Sequence, residues 1–583
     1  MSLTPTIIQN RRRRRQKPSP IARLGLGSSV ALGLLISLLS AVSSLVYATL
    51  TSQLPSLDLL PLYFEPPNGL LLHPTQLLDR SGTHIILTLS NPALTERQYL
   101  PVSQLPEEAV HALLAAIEPG FWVNPAFSWK GLIQDTHLTL AQKIAREMLL
   151  EDELPGIRRN IREKLIAAQI IQRFGREKIL EWYLNTLKFG PLIYGIDAAA
   201  QVYFGKPATK LSLAEAVALA ALAEAPEINP LIASQALEER RNRILQEMLI
   251  QGWINSEEAL HASQEKLSFQ PLKELSGPLL AFAKLVFDQL ASHIPYEKLA
   301  HGGYRIITTL DYDLQMQSIC ASESLLARLQ GQTGEISAPD GSPCLTARLI
   351  PSITNLEATQ FDVDVEMIVL DPSSGQILSL VNNPQSASIT LPAVKHDPGT
   401  LLTPFLYLTA FARGFSPGSM VWDLPPKADS ASNNSLEEAQ SDHGPVRLRI
   451  ALANDYPGPA RQITNQIGYE NFIRTLRQLG FESEVEISLV EAAQAYSVLA
   501  SQGVKNGQWI SRSNQADKGM DVQPTAVLHI EDELGKVWLD WSSPSRQSLI
   551  SPQLAFLVNH VLSDETARWV SLGHPNPLEI GRP

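Results

Sequence analysis

The chain has 583 residues, 44% of them hydrophobic and 18% charged, an ordinary balance for folded protein and enough length for two or three domains with cores of their own. Its net charge of −12 argues against general nucleic-acid binding. Two cysteines, Cys320 and Cys344, are too few for a disulfide framework or a cysteine metal site, and leave either one disulfide or two free thiols.

Five consecutive arginines, Arg11 to Arg15, open the chain, with Lys17 and Arg23 close behind, and no charged residue follows until Asp58. The apolar part, residues 24–50, spans roughly 40 Å as a helix, more than the roughly 30 Å of a hydrocarbon core. Basic residues before such a span keep the N-terminus in the cytoplasm. This predicts a cytoplasmic tail over 1–22, a transmembrane anchor over 23–50, and everything after it outside the cell. A cleaved signal peptide is the alternative, but its apolar region is shorter, about 7–15 residues. Residues 51–105 read as a connector, in which LLLHPTQLLDRSGTHIILTLS makes two strands around the turn at 79–82.

Pro106 opens a helix with Glu107 and Glu108 in its first turn and an apolar stripe of Val110, Leu113, Leu114 and Ile117. Pro119-Gly120 ends it just after Glu118. A carboxylate there faces the negative end of the helix dipole, an arrangement that suits a general base, although a solvated glutamate at a helix end is commoner. Further on, Glu163 shares a helix face with Ala167, Ile170 and Phe174. A carboxylate on an apolar face is either a working acid/base or a structural charge, and Arg159, four residues earlier, is an available partner.

Around Glu163 the segments YLNTLKFG, YGIDAAAQVYFGK and LSLAEAVALAALAEAP follow in fixed order. Residues 106–265 strongly resemble the family-51 glycosyltransferase domain of class A penicillin-binding proteins, which polymerises lipid II into glycan strands. The resemblance implies a mainly helical, lysozyme-like domain with Glu118 and Glu163 as its catalytic glutamates. Glu118, in AAIE, falls on the start of the family's E-D-x-x-F motif, whose Glu is the base; Pro119 stands where the Asp would be. Phe121, Asn124, Ala126, Ser128 and Gly131 take the positions that follow. Glu163 falls on the glutamate of R-K-x-x-E. THLTLAQKIARE aligns with the family's substrate-cleft motif and implies Thr139, Gln142, Lys143 and Arg146, with Arg159, as substrate-binding residues. Thr136, His137 and Leu138 replace small residues there. A closing pattern matches through Arg241, Asn242, Leu245, Met248, Gly252 and Ile254. In the family's chemistry Glu118 would deprotonate the acceptor sugar's 4-hydroxyl, whose oxygen attacks the anomeric carbon of the growing chain, and undecaprenyl pyrophosphate leaves with inversion. The implied partners are lipid II, the nascent glycan strand, the membrane and other cell-wall synthesis proteins. No cofactor is certain; the family allows a divalent cation, Mg or Mn, at the pyrophosphate.

Beyond a polar linker over 266–303 the pattern changes. Residues 305–310 are strand-like. Val363, Val365, Met367 and Val369 alternate with acidic residues, and the turn at 371–375 leads back into residues 377–381 as a hairpin. A helix follows over 489–501, with Gly503 beyond its end. YRIITTLD, IVLDPSSGQILSLV and AAQAYSVLASQGV resemble the penicillin-binding transpeptidase domain, an α/β fold of the serine β-lactamase type, over 304–583. That domain works through a Ser with a Lys three residues later, an S-x-N triplet and a K-T-G triplet. Here Thr400 replaces the Ser, Thr403 replaces the Lys, Asp455 opens the S-x-N position, and no K-T-G occurs. A degenerate, incomplete transpeptidase-like domain is therefore expected. The expected function is a weakened glycosyltransferase without transpeptidase activity; the alternative is a non-catalytic, membrane-anchored scaffold that binds peptidoglycan precursor or other synthases.

Overall fold

A computed structural model describes residues 20–52, 54–94, 97–124, 138–151, 153–273, 275, 277–332, 334, 336–350, 365–382, 395–424, 443–511, 520–576 and 579. The arginine run, Ala126, Ser128, Gly131, Thr136, His137 and Val363 lie outside these residues. The chain divides into two compact units, one of Met1–Leu62, Leu100–Phe189 and Pro207–Leu267, the other of Tyr63–Tyr99, Gly190–Lys206 and Ser268–Pro583.

The first unit is helical. Helix α1 (Pro20–Thr51) takes in the apolar stretch, and its described leucines, Leu32, Leu34, Leu35, Leu38, Leu39 and Leu45, are all exposed. Among the described residues no helix is long and apolar enough to cross a membrane. Helix α2 (Glu107–Ile117) starts at Pro106, as its acidic first turn predicts. After it come α3 (Leu140–Ile144), α4 (Ile157–Thr186), α5 (Leu213–Glu224), α6 (Ser234–Ile250) and α7 (Ser256–Gln264). Helix α5 begins with a capping box between Ser212 and Glu215 and is buried from Ala216 to Leu222 on every side, as a helix apolar all round must be. It is the centre on which α2 and α6 pack. Helix α3 runs into a π-turn, Ala145–Leu149, closed by the Leu150 N–H on the Ala145 carbonyl at 3.0 Å. Such widened turns are rare and concentrate at functional sites. Helix α4 is broken at Gly175, whose φ of 77° and ψ of 161° suit glycine.

The second unit combines sheet and helices. Its strands include β1 (Gln76–Leu78), β2 (Ile85–Thr88), β3 (Tyr304–Thr308), β4 (Met367–Asp371), β5 (Gln376–Val381), β6 (Val527–Asp532) and β7 (Val537–Asp540). A five-stranded sheet runs in the order β7-β6-β3-β1-β2, with β1 parallel to β3 and the other neighbours antiparallel. Its core is Leu77, Ile306, Val527 and Ile530, joined by Phe282, Val286 and Leu290 of the helix Leu280–Leu290. Stretches read as connector and linker thus supply strands and helices here. Within 266–303 the run LAFAKLVFDQL is largely apolar, with Phe282, Val286 and Leu290 at helical spacing. The expected hairpin forms as β4 and β5, with Gly375 at φ +73°. A second core packs Phe405, Tyr407 and Leu408 of α8 (Thr403–Ala412) on Ala495 and Val498 of α9 (Leu489–Ala500). Cys320 and Cys344, open between two states in the sequence, form a disulfide.

Candidate active site

Glu118 is the residue that ends α2. Its own amide still closes the helix on the Leu114 carbonyl, but its φ of −156° and ψ of 81° turn the chain away. The side chain is 7% exposed. Oε2 accepts from the Leu140 N–H at 2.8 Å, the first amide of α3, and Oε1 accepts from Asn124 Nδ2 at 3.1 Å. The carboxylate is therefore held by N–H donors rather than left against its helix's carbonyl end, which the sequence alone could not foresee. It opens on a cleft of about 500 Å³ whose wall includes Gly120, Asn124, Thr139, Glu224 and Arg243.

The loop after Glu118 is clamped from α4. The Arg176 guanidinium donates to the carbonyls of Phe121 and Asn124, and its Cζ lies 5.8 Å from the Phe121 ring centre. Phe121 itself is buried. Arg176 thus acts on Glu118 at one remove, by fixing the residue that donates to it.

Glu163 is 2% exposed. Arg146, on the π-turn, meets it with two parallel bonds, Nε to Oε1 and Nη2 to Oε2, each 2.8 Å. This side-on fork is the strong geometry for a guanidinium on a carboxylate. Its hydrogen bonds to Glu163 raise the Arg146 pKa further. Arg159 adds an ion pair, Nε to Oε1 at 3.1 Å, without hydrogen-bond alignment, and donates from Nη1 to the Glu153 carbonyl at 2.9 Å. The pairing with Arg159 that the sequence offered is present, and Arg146 outweighs it.

Thr139 and Gln142 satisfy each other: the Thr139 hydroxyl accepts from the Gln142 amide at 3.3 Å, and Gln142 Oε1 accepts from the Thr139 amide at 3.1 Å. They fix the start of α3, whose first amide meets Glu118. Lys143, one turn on, reaches the Tyr183 hydroxyl at 3.4 Å. Burial lowers the Lys143 pKa, while the charges of Glu147 and Glu118 hold it up. The segment 139–149 thus meets Glu118 through the Leu140 amide and Glu163 through Arg146, with Lys143 between them in the chain.

In the second unit Thr400, Thr403 and Asp455 lie on separate elements. Thr400 is exposed on the turn Gly399–Leu402, and Thr403 begins α8 in half-buried surroundings. Asp455 is exposed, at φ +54°, just past the helix Leu448–Ala453. It lies close enough for its charge to raise the pKa of Tyr407 and of Tyr496, though burial does most of that.

Residues 84–249 match the transglycosylase family profile, and the match takes in Glu118 and Glu163. Among curated relatives, penicillin-binding protein 1A of Aquifex aeolicus is 25% identical over 570 residues, covering 82% of this chain and 75% of its own length. The chain is similar to curated penicillin-binding proteins 1A and contains a region that matches the transglycosylase family. Penicillin-binding protein 1A of Pseudomonas aeruginosa is 26% identical over 520 residues, covering 70% of this chain and 63% of its own. A solved structure of penicillin-binding protein 1A from Haemophilus influenzae aligns over 85% of this chain and 80% of its own at 18% identity, with a TM-score of 0.41.

A divalent cation at the pyrophosphate finds no seat on Glu163. Both of its oxygens are engaged by Arg146, and among the described residues no three carboxylate, histidine or cysteine groups cluster as a metal site. Sequence reading missed Arg176 and the Lys143–Tyr183 contact. Both lie on α4, where GREKILEWYLN gives a regular helix pattern and no sign of which basic or aromatic side chain turns inward.

Proposed function

We propose that the helical unit transfers glycosyl groups between lipid II molecules, with Glu118 as the base. The carrying observation is the pair of buried carboxylates at the two ends of the segment 139–149, one of them opening on the cleft. Glu118 Oε1 or Oε2 takes the proton of the acceptor's 4-hydroxyl as that oxygen attacks the donor's anomeric carbon. The pyrophosphate departs with inversion, toward Lys143 and Arg146. Arg146, engaged with Glu163 through Nε and Nη2, keeps Nη1 for a phosphate oxygen. Thr139 and Gln142 act here by holding the helix start against Glu118. Turnover is weakened by Pro119 and by Thr136, His137 and Leu138, since a misplacement of about 1 Å costs on the order of 100-fold.

Two measurements on detergent-extracted protein test this: glycan-chain formation from labelled lipid II, and lipid II binding without turnover. Polymer that Glu118→Gln abolishes supports the reading. Absence of both polymer and binding overturns it. The second reading, a non-catalytic scaffold, is favoured by one feature, the commitment of both Arg146 and Arg159 to Glu163. Binding without polymer is its signature.

The same proposal anchors the chain through residues 24–50, with the arginine run inside and everything beyond residue 50 outside. Exposed leucines along α1 support it. Protease added to intact spheroplasts then degrades the bulk of the protein; protection of the part beyond residue 50 would refute this topology.

A further inference from the structure

Arg97 stands just beyond β2 in the second unit. Its Nη1 donates to two backbone carbonyls, Leu71 at 3.2 Å and His301 at 3.0 Å. Among the described residues its Nε and Nη2 are buried with no hydrogen-bond partner. Burial pulls this guanidinium down to about 10, and the Tyr194 hydroxyl, not a carboxylate, is what holds it up. It is still a cation at neutral pH. Its Cζ lies 5.1 Å from the Tyr194 ring centre, and that ring stacks on His301 at 5.0 Å. Aromatic faces support a guanidinium but leave its N–H edge unpaired.

The unpaired edge is informative. Nε and Nη2 form the side-on fork that matches two oxygens of a carboxylate or phosphate. In the helical unit Arg146 lays this same pair of nitrogens on Glu163. Among the described residues Arg97 presents the fork with no anion of its own, although a buried charge ordinarily has a partner. It borders a cleft of about 580 Å³ with Gln76, Thr88, Ser90, Tyr99 and His73. Gln76 and Thr88 face each other across β1 and β2, while Leu77 turns into the core, so the strand alternation gives this cleft a polar floor.

We propose that this cleft is a binding site for a small anion bearing a carboxylate or phosphate group, seated on the Nε–Nη2 edge of Arg97. The edge is out of solvent, so the incoming anion must draw the guanidinium outward. That motion loosens the two Nη1 bonds to the Leu71 and His301 carbonyls, and the new contacts to the anion offset their loss. The ligand's remaining oxygens meet the Gln76 amide and the Thr88 and Ser90 hydroxyls, and Pro66 and Leu72 cover its apolar part.

Titration calorimetry on the full detergent-extracted chain tests this, with inorganic phosphate and N-acetylglycine as separate probes. Saturable binding of at least one probe is expected, weakened at least about tenfold by Arg97→Gln and by Gln76→Glu, which sets a carboxylate on the cleft floor. Phosphate binding alone identifies a phosphoryl ligand, and N-acetylglycine binding alone a carboxylate one. Because Arg97→Gln also removes two bonds to backbone, Gln76→Glu decides the matter if that variant does not fold. No saturable binding of either probe, or binding that Gln76→Glu leaves unchanged, overturns the proposal. Lipid II polymerisation by Gln76→Glu stays at the wild-type rate, so the outcome is separate from the glycosyltransferase reading.

Discussion

The two units keep different things. In the helical unit the two buried glutamates are wired: Glu118 takes two N–H donors, and Glu163 takes a two-bond guanidinium. In the second unit the positions singled out by the sequence sit beside a well-packed core without such wiring. Helix α8 still packs in a tight core through Phe405 and Tyr407, yet the residues before and at its start are an exposed Thr400 and a half-buried Thr403. A threonine nucleophile needs an adjacent base, and a second threonine does not supply one. The contrast teaches that a core and a site are separately maintained, because packing depends on volume and burial while a site depends on a few polar contacts.

The comparison can be broken or sharpened by substitution. The largest effect is expected from Glu118→Gln, which removes the base while retaining an acceptor for the Leu140 N–H; glycan polymerisation falls on the order of 10²–10⁴-fold. A variant that polymerises at the wild-type rate would strip the helical unit of its assigned base. Arg146→Ala leaves Glu163 buried with Arg159 as its remaining close cation. Losing one partner of a buried pair typically costs about 3–5 kcal/mol, and Arg146 is partly solvated, so we expect about 2–3 kcal/mol in chemical denaturation of the helical unit. A smaller loss would mean that Arg159 carries the pair. Asn124→Ala removes one bond to the Glu118 carboxylate. Such bonds are worth about 1.5–3 kcal/mol, so polymerisation slows at least about tenfold with the unfolding midpoint little changed. Equal losses in rate and stability would assign Asn124 a structural role. The smallest effect is expected from Gly175→Ala. A side chain there meets open space, so what it adds is backbone strain at φ +77°, about 1–2 kcal/mol.

Much of this was legible in the sequence where period and turn chemistry agree. Helix α2 starts after Pro106, the turn at 79–82 separates two strands with Gly82 at φ +73°, and α9 ends before Gly503 at φ +90°. Glu163 and its Arg159 partner could be read from helical spacing. The partner that dominates, Arg146, could not, because it lies 17 residues away and its aim depends on a π-turn that no local pattern announces. The surroundings of Glu118 were read backwards for a similar reason. Helix-end reasoning sees carbonyls nearby, but the donors come from Leu140 and Asn124, brought there by tertiary packing. The role of residues 63–99 in the five-stranded sheet of the second unit was hidden because β1 pairs with β3, more than 200 residues away.

The central claim, wired chemistry in one unit and an unwired site in the other, is tested most directly on a single preparation of the full chain assayed two ways. One portion receives labelled lipid II and the other fluorescent penicillin, followed by denaturing electrophoresis. The account predicts glycan polymer from the first and no covalently labelled band from the second, since losing a nucleophile or its partner in a serine-based unit costs on the order of 10⁴–10⁶ in rate. A labelled band that disappears with Thr400→Ala, in a preparation that makes no polymer, would contradict it.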